Sequence, residues 1–348
     1  MFQRAPKAGS MSTLPNRPAL TAEWLAHRYD PEHDAVHFLK VGRALRRKVP
    51  FLTDEELGKQ ADPLVVRRQD AAGMASTHRL NFIFHSAYCC STLLANAYDR
   101  AGAAFSLKEP VLLNDLVGWR YRGADPQRLS AVLADGLGLL ARPFEPGEIC
   151  VVKPSNIVNG LARAMIAIRP DARALLLHAP LDQYVRSIAN KGLWGRLWVR
   201  DLLSKFLKEG LVELGFEPQD YFLQSDLQVA AIGWLAQQKL FAAIATKWPD
   251  RVRTLNSDVL LARPLDSLEA LDRLFGLRDD VAVRGAIVDT VFSRHSKFGT
   301  SFNAAQRAAD QKNAAETHLE EITKVSAWAA TVAETFGVPL DLPGRLID

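Results

Sequence analysis

The chain has 348 residues, of which 48% are hydrophobic and 24% are charged, which is the composition of an ordinary globular protein. Its formal net charge is +4, and its densest basic segment is the short run Arg43 to Lys48. A protein that binds nucleic acid usually carries a stronger basic stripe with interleaved aromatic residues, so the charge favours a small anionic ligand. The longest apolar runs are too short to span a bilayer, and the N-terminus lacks the apolar region of a secretory signal. We therefore expect a cytoplasmic protein.

Cysteine usage agrees with a reducing compartment. The chain has three cysteines, and two of them, Cys89 and Cys90, are neighbours in sequence. Adjacent cysteines rarely bridge each other, so a disulfide framework is not expected. No cysteine or histidine group has the spacing of zinc ligands, and we expect no metal.

The first 78 residues are interpreted as a mostly helical N-terminal extension with a disordered leader. Met11 is a candidate start, because residues 1–10 read as unstructured. Thr21 is a plausible N-cap for a short helix through His27, and Thr53 followed by Glu56 has the pattern of a capping box. The main domain is predicted to cover residues 79–348.

From Arg79 onward, short apolar segments alternate with longer helical patterns. Such alternation predicts an α/β fold of three layers, with a central parallel sheet and helices on both faces. The predicted strands are Leu80–Phe84, Ile149–Lys153, Ala174–His178 and Val252–Leu255, and the predicted helices include Ile157–Ile168 and Leu227–Trp248 behind a Ser225 cap.

The segment between the first of these strands and its helix carries the main functional signal. Small polar residues after a buried strand let the backbone wrap an anion, while amide groups and the helix dipole attract it. The candidate binding residues are His85, Ser86, Ala87, Tyr88, Cys89, Cys90, Ser91 and Thr92. A Walker sequence is absent, which argues against an ordinary Mg-ATP loop. The alternative is that Ser91 and Thr92 only cap a helix.

Three elements in this order resemble the P-loop sulfotransferases. Tyr88-Cys89-Cys90-Ser91-Thr92 is similar to the Lys/Arg-Ser-Gly-Thr-Thr turn that holds the 5′-phosphosulfate in that family. The segment Pro170–Ser187 follows the family's strand, Arg-x-Pro turn and Ser-bearing helix. Leu255–Leu261, with Pro264 and Leu274-Phe275-Gly276, resembles the family's Tyr-Glu-Asp-Leu and Phe-Leu-Gly elements. The resemblance covers residues 80–280.

The resemblance implies a P-loop NTPase-like fold and a metal-independent reaction. The donor would be 3′-phosphoadenosine 5′-phosphosulfate, and the sulfuryl group would pass to a hydroxyl of an unknown small-molecule or glycan acceptor. It also implies that His178 and Ser187, with Arg186 as a second candidate, hold the 3′-phosphate. A late basic loop containing Arg294 and Lys297 would close over the same phosphate, unless it is simply a solvated basic loop.

Three positions depart from the family's pattern. Tyr88 stands where the family has a cation, His178 replaces an arginine, and Cys90 replaces a glycine. Because Cys90 has a Cβ atom, we expect that it does not readily adopt positive φ. The protein is therefore either an enzyme with relocated cations or a non-catalytic relative that binds nucleotides or anions.

Two residues are candidates for catalysis, one at the end of a predicted strand and one that closely follows the first βα unit. Lys153 ends a strand before Pro154, where it would neutralise charge on the donor. Glu109, before Pro110, would take the proton from the acceptor hydroxyl, or it is a turn residue only. The aromatic segment Trp194–Trp198 would line an acceptor pocket or, as is more common, pack in the interior.

Overall fold

A computed structural model describes residues 20–292 and 304–347, without the side chains of residues 304–317. Two sheets organise these residues, one antiparallel with three strands and one parallel with five. The strands are β1 (Trp24–Asp30), β2 (Ala35–Lys40) and β3 (Leu64–Arg67) in the first, and β4 (Leu80–His85), β5 (Ala104–Lys108), β6 (Ile149–Lys153), β7 (Ala174–His178) and β8 (Val252–Asn256) in the second.

The N-terminal segment corrects the prediction of a mostly helical extension. Instead of a helix after Thr21, residues Trp24–Asp30 form β1, which pairs antiparallel with β2. Tyr29, Val36 and Phe38 from these strands are buried in the core of the main domain. The prediction was wrong because Trp24–Asp30 pairs with β2 in a hairpin, and this pairing with its burial overrides a weak local helical signal. The cap at Thr53 is confirmed, because its side chain accepts a hydrogen bond from the Glu56 N–H.

The helices of the N-terminal segment are short. Those of the main domain cover both faces of the parallel sheet. They are α1 (Arg43–Lys48), α2 (Asp54–Leu57), α3 (Arg68–Ala72), α4 (Ser91–Ala97), α5 (Val111–Tyr121), α6 (Pro126–Leu140), a 3-10 helix (Asn156–Leu161), α7 (Ala162–Ile168), α8 (Leu181–Asn190), α9 (Gly192–Lys208), α10 (Asp220–Leu223), α11 (Asp226–Lys247), α12 (Ser257–Ala262), α13 (Pro264–Phe275), α14 (Val281–Ile287), a π-helical turn (Val288–Phe292) and α15 (Ala304–Thr335). Ser225 caps α11, as expected, and with Gln228 it forms a full capping box.

Alternate residues of the strands point into two separate cores. Phe82 and Phe84 of β4 pack with residues of α5, α6 and α7 on one face. Ile83 packs with residues of α8, α9, α13 and α15 on the other face. The predicted three-layer α/β class is therefore confirmed, and so are the four predicted strands.

The parallel sheet has the strand order β5-β6-β4-β7-β8, with β4 in the centre. The chain leaves β4 toward one edge, returns through β6, and then crosses to the other side of β4 at β7. In open parallel sheets, ligands bind at the carboxyl ends of the strands where the order reverses. The segment that follows His85 lies at such a position.

Other parts of the chain cover both edge strands of this sheet. The Leu52 N–H donates to the Lys108 carbonyl of β5 over 2.7 Å. At β8, the Thr254 N–H donates to the Gly344 carbonyl, and the Leu346 N–H donates to the Thr254 carbonyl, both over 2.9 Å. The C-terminal residues thus lie along β8 as a short parallel extension of the sheet.

Candidate functional site

The turn between β4 and α4 contains three residues other than glycine in the left-handed region. The φ angles are 68° at Ala87, 53° at Tyr88 and 63° at Cys90. The expectation that Cys90 would not readily adopt positive φ is therefore wrong. Each such residue costs on the order of 1–3 kcal/mol and persists only when its surroundings hold it. Successive residues in this kind of conformation turn main-chain N–H groups toward one concave side, which suits an anion.

Contacts with β7 hold this turn in place. The Ser86 N–H donates to the Leu177 carbonyl over 3.1 Å, and the Ser86 hydroxyl oxygen accepts from the Ala179 N–H over 3.2 Å. The Cys89 thiol is buried and lies 3.5 Å from the same Leu177 carbonyl. The side chains of Ser86 and Cys89 therefore anchor the turn to the sheet.

The start of α4 leaves polar groups beside the turn. The first N–H group bonded within the helix is that of Leu94, which donates to the Cys90 carbonyl over 3.0 Å. Ser91 and Thr92 follow Cys90, which is the N-cap residue and makes no side-chain cap. The interpretation of these hydroxyls as helix caps is thus wrong. Among the described residues neither hydroxyl has a hydrogen-bond partner, so both can donate to a phosphate.

The two predicted catalytic residues lie together at the ends of neighbouring strands. The Lys153 ammonium group forms an ion pair with the Glu109 carboxylate. The Glu109 N–H also donates to the Lys153 carbonyl over 2.7 Å. Glu109 has a φ of 53° although it precedes a proline, which is a strained conformation. Its Oε1 atom is 3.9 Å from Nε2 of His85, so the ion pair lies next to the turn.

A second lysine at a strand end was missed by the sequence analysis. Lys108 pairs with Lys153 in the register of β5 and β6. Its ammonium group donates to Asn96 Oδ1 over 2.8 Å and to the Arg47 carbonyl over 3.1 Å. Burial lowers the pKa of Lys108 to about 8, and the positive charge of Lys153 acts in the same direction. Because β5 was not predicted, no pattern in the sequence marked Lys108 as a strand-final residue.

Tyr88, which the sequence resemblance places at the position of the family's turn cation, lies in an aromatic cluster. The Tyr88 ring meets Tyr184 edge-on at 6.0 Å and Trp198 at 5.6 Å between centroids. Burial raises the pKa of Tyr88 to about 12, so its phenol is neutral at physiological pH. Trp194 stacks on Trp198 at 6.4 Å and is 62% exposed, so this aromatic segment is only partly interior.

His178 lies at the end of β7 and is 4% exposed. Burial lowers its pKa to about 4, so the imidazole is neutral at physiological pH. A cavity of about 170 Å³ lies beside it and is also lined by Asn256, Asp341 and Arg345. His178 therefore offers hydrogen bonding, and it does not replace the family's permanent positive charge.

The remaining predicted phosphate ligands lie on α8 or outside the described residues. The Ser187 hydroxyl donates to the Gln183 carbonyl of its own helix over 2.8 Å. The Arg186 Nε atom is 3.6 Å from Asp182 Oδ2, one turn away. A phosphate would have to compete with both contacts. Arg294 and Lys297 fall outside the described residues.

Within residues 20–292 and 304–347, no helix combines the length and apolarity needed to cross a membrane. In the same residues no three His, Cys, Asp or Glu side chains cluster as metal ligands would.

Comparison with known proteins gives only remote similarities. No protein-family model matches the chain, and no curated protein matches it. Among solved structures, a sulfotransferase from Mycobacterium avium has 12% identity and a TM-score of 0.42, covering 71% of this chain and 78% of its own. The sulfotransferase domain of the curacin biosynthetic pathway has 14% identity and a TM-score of 0.44, covering 77% and 100%. The sulfotransferase domain of the Synechococcus olefin synthase has 13% identity and a TM-score of 0.41, covering 77% and 97%.

All three are sulfotransferases. Similarity this remote carries no argument by itself, and the functional proposal rests on the residues of the site.

Proposed function

We propose that this protein transfers a sulfuryl group from 3′-phosphoadenosine 5′-phosphosulfate to a hydroxyl group of an acceptor. The observation that carries the proposal is the left-handed turn Ala87–Cys90 at the end of the central strand, beside the Lys153–Glu109 ion pair. Strained residues of this kind concentrate at functional sites. The cytoplasm remains the location expected from the sequence.

The donor's 5′-phosphosulfate would bind at the concave side of the turn. Main-chain N–H groups at the start of α4 and the hydroxyls of Ser91 and Thr92 are the proposed donors of hydrogen bonds. His178, Arg186 and Ser187 remain the proposed contacts of the 3′-phosphate, with Arg294 and Lys297 as further candidates. In this arrangement His178 acts as a neutral hydrogen-bonding group.

The reaction would exchange one sulfur–oxygen bond for another. The acceptor oxygen attacks sulfur while the bond from sulfur to the bridging phosphate oxygen breaks, and adenosine 3′,5′-bisphosphate leaves. Glu109 takes the proton of the acceptor hydroxyl. Lys153 stabilises the negative charge that develops on the leaving oxygen, a contribution of roughly 10²–10³ in rate by analogy with oxyanion donors.

The ion pair itself suggests how these two roles are linked. Without donor, Lys153 and Glu109 neutralise each other at the end of the sheet. An arriving phosphosulfate offers Lys153 a second, more highly charged partner. The Glu109 carboxylate is then less strongly held and can accept a proton.

A second candidate function is binding of the nucleotide without turnover. Tyr88 packs against Tyr184 and Trp198, so the turn itself carries no cation. In this reading the Lys153–Glu109 pair is only structural. The turn would still bind an anionic nucleotide.

Calorimetric titration with adenosine 3′,5′-bisphosphate tests the donor site. We expect micromolar affinity that weakens in Thr92→Ala and Ser187→Ala, with Ser204→Ala as the control, because Ser204 is an exposed serine that also bonds to its own helix. Absence of binding at millimolar concentration would refute the proposal. Binding without sulfated product across phenol, alcohol and sugar acceptors would favour the second function.

A further inference from the structure

His85 is the last residue of β4 and connects three elements around the turn. The residue is buried, with 4% of its surface exposed. Its Nδ1 atom lies 3.1 Å from the Ala87 amide nitrogen, and its Nε2 atom lies 3.0 Å from the Pro154 carbonyl oxygen. Its own carbonyl accepts from Asn159 Nδ2 over 3.0 Å.

These two ring contacts fix the protonation of the imidazole. A carbonyl oxygen can only accept, so Nε2 must carry a hydrogen. A main-chain N–H can only donate, so Nδ1 must be unprotonated. His85 is therefore a neutral imidazole in its Nε2–H tautomer.

Glu109, a charged neighbour among the described residues, does not take over the Nε2 proton. Glu109 Oε1 is 3.9 Å from Nε2, beyond hydrogen-bond distance, and this carboxylate is already paired with Lys153. The ring is thus held between the main chain of its own turn and that of the segment after β6.

We infer that His85 is a positioning residue that holds Ala87 in its left-handed conformation and so shapes the anion-binding turn. The contact from Nδ1 to the N–H two residues later is equivalent to an Asx turn, in which a side chain replaces a backbone acceptor. The role assigned here differs from the sequence prediction, in which His85 touches the donor. Its link to ligand binding rests on the proposed function, whereas its effect on the turn does not.

Two substitutions separate the two ring contacts. In His85→Asn, the side-chain oxygen can take the place of Nδ1 and accept from the Ala87 N–H. In His85→Gln, the amide nitrogen can take the place of Nε2 and donate to the Pro154 carbonyl, while the contact to Ala87 is lost. His37→Asn and His37→Gln on β2 are the matched controls.

The first measurement is the affinity for adenosine 3′,5′-bisphosphate. We expect His85→Asn to stay within about threefold of the wild type and His85→Gln to bind roughly tenfold more weakly, the effect of one lost hydrogen bond. Adding Ala87→Gly to His85→Gln should restore most of the affinity, since glycine adopts positive φ without support. Equal affinity in both single variants, or loss in His85→Asn only, would overturn the inference.

The second measurement needs no ligand and separates this inference from the proposed function. NMR of ¹⁵N-labelled imidazoles should show His85 with a protonated Nε2 and an unprotonated Nδ1. The Ala87 amide should exchange slowly in the wild type and in His85→Asn, and faster in His85→Gln. If the wild type shows these signatures but does not bind the bisphosphate, only the proposed function fails. If Nδ1 is protonated, or the Ala87 amide exchanges equally in all proteins, the inference fails.

Discussion

Lys153 and Glu109 form an ion pair across the ends of two adjacent parallel strands, and the Glu109 N–H also donates to the Lys153 carbonyl over 2.7 Å. The proposed cation and the proposed base therefore bond to each other and are held by the sheet register. Lys153 is 1% exposed, so its ammonium group is buried beside this partner.

Removing the cation should reduce turnover more than binding. We expect Lys153→Met to lower kcat by about 10²–10³, because charge on the leaving oxygen loses its partner. Lys239→Met is the control, since Lys239 forms an exposed pair with Glu213. Steady-state assays with a sulfated product as readout would measure the effect, and an unchanged kcat would show that Lys153 has no catalytic role.

Removing the proposed base should lower the reaction rate and at the same time strengthen binding of the bisphosphate. We expect Glu109→Gln to lower the rate by roughly 10²–10⁴, the usual contribution of a general base. Its affinity for adenosine 3′,5′-bisphosphate should rise, because Lys153 no longer has a competing carboxylate. Calorimetry and product formation on the same protein give both values. Weaker binding in this variant would contradict the proposed exchange of partners.

Because Ala87 is strained, we expect replacement of alanine by glycine to stabilise the protein at this position and to destabilise it within a helix. Ala87→Gly should raise the free energy of unfolding by about 1 kcal/mol, because alanine pays for its left-handed conformation. Ala327→Gly, at an exposed position within α15, should lower it by about 0.5–1 kcal/mol. Urea denaturation measures both. A loss of stability at Ala87 as large as that at Ala327 would argue against strain in the turn.

His178 predicts a dependence of stability on pH. Its pKa is lowered by burial from 6.5 to about 4, so between these values the unfolded chain binds a proton that the folded protein does not. The neutral imidazole thus makes its full contribution to the free energy of unfolding above the unfolded pKa. As the pH falls toward 4, this free energy decreases by about 3 kcal/mol.

A comparison of variants measures the contribution of His178 to the pH dependence of stability. His178→Asn should have a smaller drop in the free energy of unfolding between pH 7 and pH 4 than the wild type. His78→Gln, at an exposed histidine, is the control and should follow the wild type. An identical pH profile in His178→Asn would mean that the imidazole is not desolvated.

Much of the sheet could be predicted because four of its strands are short, continuously apolar and bounded by polar turns. β5 was missed since its five residues include Ser106 and Lys108, and their burial depends on pairing with β6. The N-terminal sheet was missed for a similar reason, as β3 pairs with β2 across a long intervening segment.

Individual residues of the site could be predicted from the sequence, but the contacts between them could not. Lys153 stood out at the end of a predicted strand and Glu109 as a residue before proline after the first βα unit, but their contact depends on β5 lying next to β6. Nothing in the sequence indicates left-handed φ angles at Ala87 and Tyr88, because neither is glycine or asparagine. In the folded protein, the Ala87 N–H bonds to His85, and the Tyr88 ring packs against Tyr184 and Trp198. The hydrogen-bonded tautomer of His85 is likewise a property of the tertiary structure.

Both borders of the parallel sheet are met by other parts of the same chain, through Leu52 at β5 and through Gly344 and Leu346 at β8. An exposed strand edge is a template on which a second molecule can add its own strand, and this is a common start of aggregation. Here, backbone of the same chain already bonds to N–H and C=O groups of the edge strands. Strand addition at these positions is therefore blocked, and self-association has to proceed through side-chain surfaces. Deleting the last residues of the chain should therefore promote aggregation before it affects the turn at Ala87.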